Sequence, residues 1–180
     1  MRSKFIWVIY ILITTLLTIL QTSFFPQFPV FRVKPDLVLL FLISVTLLKG
    51  YREGTMCAAV AGIITGLISW NLTGLYVVSY CMAVFPSGLL AEKYESDNLL
   101  IPITAGVSGS VIFSLVFALL GNFLEFYYLS LQQFIGILIF TGWNMLFLIP
   151  IFFITKHFMA PPSKDINISG AGLKNDYLIR

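Results

Sequence analysis

Residues 35–66 read PDLVLLFLISVTLLKGYREGTMCAAVAGIITG. Pro35 and Asp36 are both favoured in the first turn of a helix, so the stretch opens on a helix start. From Leu37 to Leu48 no charged residue follows. Counted from Pro35, that run is about 14 residues, or about 21 Å of helix, short of the roughly 30 Å of a bilayer's hydrocarbon. The KGYREG break carries Lys49, Arg52 and Glu53, and a second apolar run begins at Gly54. Across it Gly50, Gly54, Ala58, Gly62 and Gly66 recur every fourth residue. Small residues at that spacing let helix backbones approach closely, which is how helices associate where lipid removes the hydrophobic drive. The stretch therefore reads as two membrane-embedded helices in an all-α protein.

The rest of the chain agrees. Of its 180 residues 58% are hydrophobic and 11% charged, against about 25% charged in an ordinary soluble domain. Mean hydropathy is +0.94. Six apolar segments can be drawn, approximately 5–25, 35–48, 54–70, 73–90, 99–120 and 134–155. The first, fifth and sixth reach the length a crossing needs, whereas the second and third are short enough to form a hairpin that does not fully cross. Six crossings with the N-terminus inside leave nine cations cytoplasmic and only Arg32 and Lys34 outside. That satisfies the positive-inside rule with both termini cytoplasmic. The expectation is a polytopic six-helix transmembrane domain over 1–159, with a retained signal-anchor as its first helix. A flexible cytoplasmic tail over 160–180 follows Pro161-Pro162.

The segment before Pro35, SFFPQFPVFRVKPDL from Ser23 to Leu37, is expected to lie outside. Its prolines hold the backbone extended, and its aromatics suit the membrane–water boundary. Phe24, Phe25, Phe28 and Phe31, with Arg32 and Lys34, form a candidate partner-binding surface, with interfacial anchoring as the alternative. A second small-residue row, Gly106, Ser110, Ser114 and Ala118, runs along the fifth segment. Each row is read either as internal packing or as a groove for a partner's transmembrane helix.

Chemistry is sparsely represented. Deep polar residues are few, among them Ser44, Thr65, Ser79 and Asn144, and no carboxylate, Lys or Arg is expected near a segment centre. His157, beside Lys156, reads as a C-terminal helix charge, and no serine has a basic neighbour to activate it. Asp36 is read as a first-turn cap next to Pro35, helped by Arg32 or Lys34, with a ligand or proton role as the alternative. Cys57 and Cys81 lie inside apolar runs and indicate no disulfide framework. No enzyme, cofactor, metal site or nucleic-acid surface is expected.

Several residues together resemble a known family. Gln21-Thr22-Ser23 ends the first helix and an aromatic-proline loop follows. Then come Pro35-Asp36-Leu37-Val38-Leu39-Leu40, Gly50 and Gly54, Gly62-Ile63-Ile64-Thr65-Gly66-Leu67, and Gly74-Leu75-Tyr76. That order, over about residues 1 to 95, resembles the bacterial rod-shape-determining protein MreD family. One departure is Ser69-Trp70-Asn71, where relatives often carry an Asp. The resemblance implies a non-enzymatic, multi-pass protein of the bacterial inner membrane, in the elongation machinery that builds lateral peptidoglycan. It also implies binding to the single-pass scaffold MreC and indirect links to MreB and the wall-synthesis enzymes. The family is similar in fold to the vitamin-binding S components of uptake transporters, which supplies an alternative function. For that alternative the pocket candidates are Asn122, Glu125, Gln132, Gln133 and Asn144. The absence of Ala or Gly from Phe5 to Leu20 counts against it.

Overall fold

The computed structural model describes residues 2–24, 33–69, 73–93, 98–124 and 131–159. Six helices run through them: α1 Arg2–Ser23, α2 Leu37–Lys49, α3 Tyr51–Ile68, α4 Thr73–Ala91, α5 Leu100–Phe123 and α6 Leu131–Met159. α4, α5 and the Phe134–Met159 part of α6 are long and apolar enough to cross a membrane. Trp7–Ser23 of α1 and the whole of α2 are shorter apolar helices.

The short helix is the centre of the molecule. α2 is apolar around its whole circumference, and such a helix has no face to offer water. Every residue from Leu37 to Leu47 is buried. The other five helices all pack on it, in the order α1, α3, α4, α5, α6, and among the described residues α6 does not close the ring by packing on α1. A helix of 13 residues is about 20 Å long and cannot reach both bilayer surfaces. Here it need not, because protein rather than lipid surrounds it. α2 and α6 run side by side in the same direction: the Asp36 N–H donates to Asn144 Oδ1 at 2.9 Å, and Lys49 Nζ donates to the Met159 carbonyl at 3.1 Å.

Gly50 turns α2 into α3. Its φ of +93° lies in the region that L side chains avoid, and its N–H donates to the Thr46 carbonyl at 2.9 Å. From there the small-residue row faces inward. A Cβ at Gly54 would run into the Thr46 side chain, and Ala58 is fully buried. A Cβ at Gly62 would stand 2.5 Å from Val77 Cα, and one at Gly66 2.5 Å from Thr73 Cα. The glycines thus admit the backbone of α4, and α3 and α4 form the most intimate pair in the bundle. Outside, large apolar side chains face away from the core. On α1 they form a stripe of Val8, Leu12, Leu16 and Leu20, and on α6 Leu138 and Leu146 are similarly bare.

Candidate functional site

Pro35 and Asp36 enter the bundle as extended backbone, and both are buried. Proline lacks the N–H that would need a partner at such a position. Asp36 caps α2: its Oδ1 accepts the Leu39 N–H at 2.9 Å. Its carboxylate also meets Tyr80 of α4, whose hydroxyl lies 2.9 Å from Oδ2 and 3.2 Å from Oδ1. Gln21 of α1 stands beside the same carboxylate and accepts the Val38 N–H on its Oε1 at 3.4 Å. On the other flank, Asn144 of α6 accepts the Asp36 N–H and passes a hydrogen bond from Nδ2 to Ser110 Oγ of α5 at 3.0 Å. Thr18 of α1 and Thr65 of α3 share a hydrogen bond at 3.2 Å. Each helix therefore gives at least one polar side chain to a belt around the start of α2.

The belt is deep. Ser110, Asn144 and Tyr80 have no exposed surface, and Asp36 is 7% exposed. Asn144 sits near the middle of α6, about 20 Å from either end of that helix. Asp36 stands at the start of its own helix, as the sequence indicates, yet it is level with the middle of α6. α2 begins just after Asp36, level with the last turn of α1 but about 20 Å inside the end of α6, because α2 is shorter than its neighbours. A carboxylate held at such depth is costly unless its oxygens are satisfied. The Leu39 amide and the Tyr80 hydroxyl meet that need.

Beyond Asp36, toward the end where α1 finishes and α4 begins, a cavity of about 520 Å³ opens. Its floor is Pro35 and Asp36, and Gln21, Thr22 and Ser69 stand on one side. Four aromatic rings form the other wall. Tyr76 and Phe117 meet edge to face at 5.2 Å between ring centres, Phe113 stacks on Phe117 at 5.7 Å, and Phe140 stacks on Phe113 at 5.9 Å. Phe113 also stacks on Tyr80 at 5.0 Å, so the aromatic wall and the polar belt are one packed unit. Lys34 lines the cavity and is exposed. The arrangement can hold a ligand with one hydrogen-bonding or cationic end against Asp36 and an apolar or planar part against the rings.

Of the residues singled out from the sequence, Pro35 and Asp36 start α2, Lys34 reaches the cavity, and Phe24 follows α1 with about half its surface exposed. Phe25, Phe28, Phe31 and Arg32 lie outside the described residues, as do Asn71 and Glu125. Gly50 is the turn before α3 rather than a groove residue. In the second row, a Cβ at Gly106 would collide with Leu148 and Met145 of α6. Ser110 belongs to the belt, and Ser114 and Ala118 are half-buried. Both rows are thus largely occupied by the protein's own helices. Of the pocket candidates, Asn144 is in the belt below the cavity, Asn122 is exposed, and Gln132 and Gln133 are in the first turn of α6. Tyr80 was not foreseen. It is one of eight tyrosines, and nothing in its spacing marks it.

Among the described residues no three His, Cys, Asp or Glu side chains gather in one place. In comparisons with known proteins, no curated protein and no solved structure matches. One family does: the model of rod shape-determining protein MreD matches residues 1–160, a span that takes in all six helices and extends well past the first 95 residues that carry the motifs. The chain belongs to the MreD family of rod shape-determining membrane proteins.

Proposed function

We propose that the protein is a non-enzymatic component of the cell-elongation complex, and that it acts by binding the single-pass scaffold MreC. Family membership over residues 1–160 carries this reading. In this reading the chain lies in the bacterial inner membrane and crosses it with both termini cytoplasmic. Through the scaffold it links to MreB and to the enzymes of lateral peptidoglycan synthesis.

The partner's helix docks on α1 in this account. Among the described residues α1 packs only on α2 and α3 and leaves its stripe of Val8, Leu12, Leu16 and Leu20 bare. A shallow apolar groove formed by Leu16, Ile19, Leu20 and Phe24 continues the stripe into the external segment. The scaffold's juxtamembrane part meets that segment, with Phe24, Phe25, Phe28 and Phe31 as apolar contacts and Arg32 and Lys34 as charges. The small-residue rows hold the bundle together, so the interface rests on larger side chains.

The cavity supports one competing reading, that of a solute-binding S component. Purification of the tagged chain from cells that contain the scaffold separates the two. Recovery of MreC at equal stoichiometry is the expected result. Recovery of the chain alone, with a tightly held small solute, would replace the scaffold reading by the solute-binding one.

A further inference from the structure

The cavity above Asp36 has a composition that a packing void does not need. Empty space in a bundle is normally lined by apolar side chains, and an apolar void stays dry. This one places a deeply buried carboxylate, an amide from Gln21 and the hydroxyl residues Thr22 and Ser69 opposite a continuous aromatic wall. About 520 Å³ is within the range of small-molecule sites.

Three features limit what fits. The floor is anionic: among the described residues Asp36 is the one acid lining the cavity. Among the described residues no Lys, Arg or His nitrogen is paired with it, so a cation is the complementary group. The rings of Tyr76, Phe113, Phe117 and Phe140 line the same space, and a ring face that its stacked neighbours leave uncovered favours the same cation. A carboxylate flanked by an amide and hydroxyls suits an ammonium that still has N–H bonds to donate, rather than a fully methylated one. At the mouth, Lys34 is exposed and two residues from Asp36, so positive charge borders the opening and negative charge lies inside. A ligand that matches both carries an ammonium at its tip and an anionic group a few atoms behind it.

A last feature identifies the source. Gln21 and Thr22 come from α1 and Phe140 from α6, and these two helices border the cavity without packing on each other. Among the described residues nothing packs α1 against α6, and a hydrocarbon chain attached to the ligand would leave between them into the bilayer.

We propose that this cavity binds a phosphoethanolamine headgroup, with its ammonium between the Asp36 carboxylate and the aromatic wall and its phosphate at Lys34, presented by a membrane phospholipid whose chains leave between α1 and α6. The site shares Lys34 with the segment assigned to the protein partner but none of the α1 stripe of Val8, Leu12, Leu16 and Leu20, and it does not depend on that assignment.

Native mass spectrometry of the purified full chain tests it, after reconstitution into phosphatidylglycerol membranes doped equally with phosphatidylethanolamine and phosphatidylcholine. Retention of phosphatidylethanolamine in excess over both other lipids is expected. Asp36→Asn keeps a capping oxygen on α2 while removing the charge, and should lower that retention about tenfold. Phe140→Leu removes one ring at similar volume and should weaken retention less, without touching the cap. Soluble glycerophosphoethanolamine forms the second arm. If it raises the Tm of delipidated wild type but not of Asp36→Asn, the headgroup alone carries recognition. If only the intact lipid is retained, the chains contribute between α1 and α6. Equal retention of all three lipids, or unchanged retention in both variants when each is folded, would overturn the proposal. Failure of scaffold binding with selective lipid retention intact would count against the partner reading alone.

Discussion

The Tyr80 hydroxyl in α4 donates to the Asp36 carboxylate at the start of α2 across 2.9 Å, with Tyr80 fully buried and Asp36 nearly so. The pair joins the start of the central helix to α4, and the bond from the Asp36 N–H to Asn144 Oδ1 joins it to α6. Tyr80→Phe removes the donor and leaves the ring stacked on Phe113. A loss of about 1–2 kcal/mol is expected, read as a lower midpoint in thermal unfolding of detergent-purified protein. Asp36→Ala should cost more, about 2–4 kcal/mol, since it removes the cap and also leaves the Tyr80 hydroxyl without an acceptor. If Tyr80→Phe and Asp36→Ala prove additive in the double variant, the two residues do not act as a pair.

Gly62 and Gly74 should respond oppositely to a side chain. A Cβ at Gly62 meets the Val77 backbone at 2.5 Å, which cannot yield as a rotamer could, whereas a Cβ at Gly74 meets nothing within 4 Å. Gly62→Val is expected to abolish recovery of folded monomer in fluorescence-detected size exclusion. Gly74→Ala should elute as the wild type does. A well-folded Gly62→Val protein would show that α3 and α4 are not in this close register.

Gly50 separates backbone strain from crowding. Space beside it is open, yet its φ of +93° is unfavourable for a side chain. Gly50→Ala should therefore destabilise by about 1–3 kcal/mol, and Gly50→Asn by about as much, because with ψ at 169° the backbone lies outside the left-handed helical region that asparagine tolerates. Equal midpoints for wild type and Gly50→Ala would show a different turn.

Ser87 is buried with a hydroxyl that has no hydrogen-bond partner. Ser87→Ala removes an unsatisfied group at almost no change in volume, so its thermal midpoint should equal or exceed that of the wild type. A clear drop would reveal a partner for this hydroxyl.

Much of the architecture can be read from local pattern, and the site mostly cannot. The row Gly54, Ala58, Gly62, Gly66 announces close helix packing, and Pro35-Asp36 announces a helix start. Both depend only on residues near in sequence, and both are seen. The all-round apolar text of α2 also indicates burial, but its shortness is equally compatible with little tilt, a thinned bilayer or a hairpin, and does not point to the enclosed centre. Depth is what local pattern omits. Asp36 is a cap in its own helix, and it lies deep only because α6 runs on past it by about 20 Å. Which helix fills a glycine groove is likewise decided by topology, so the row on α3 could not name α4. Tyr80 carries no local signal because its role depends on a carboxylate 44 residues away. Asn144 could be found as a rare polar residue inside a long apolar run, though not with the backbone amide it holds.

Site-specific photo-crosslinking from α1 tests the central claim most directly. With the photoreactive residue at Leu12, on the bare stripe, the account predicts an adduct between this chain and the transmembrane helix of MreC, identified by mass spectrometry. The same group placed at Leu138 of α6 should give none. Adducts with MreC from Leu138 but not from Leu12, or none from either position while MreC is present at normal level, would contradict it.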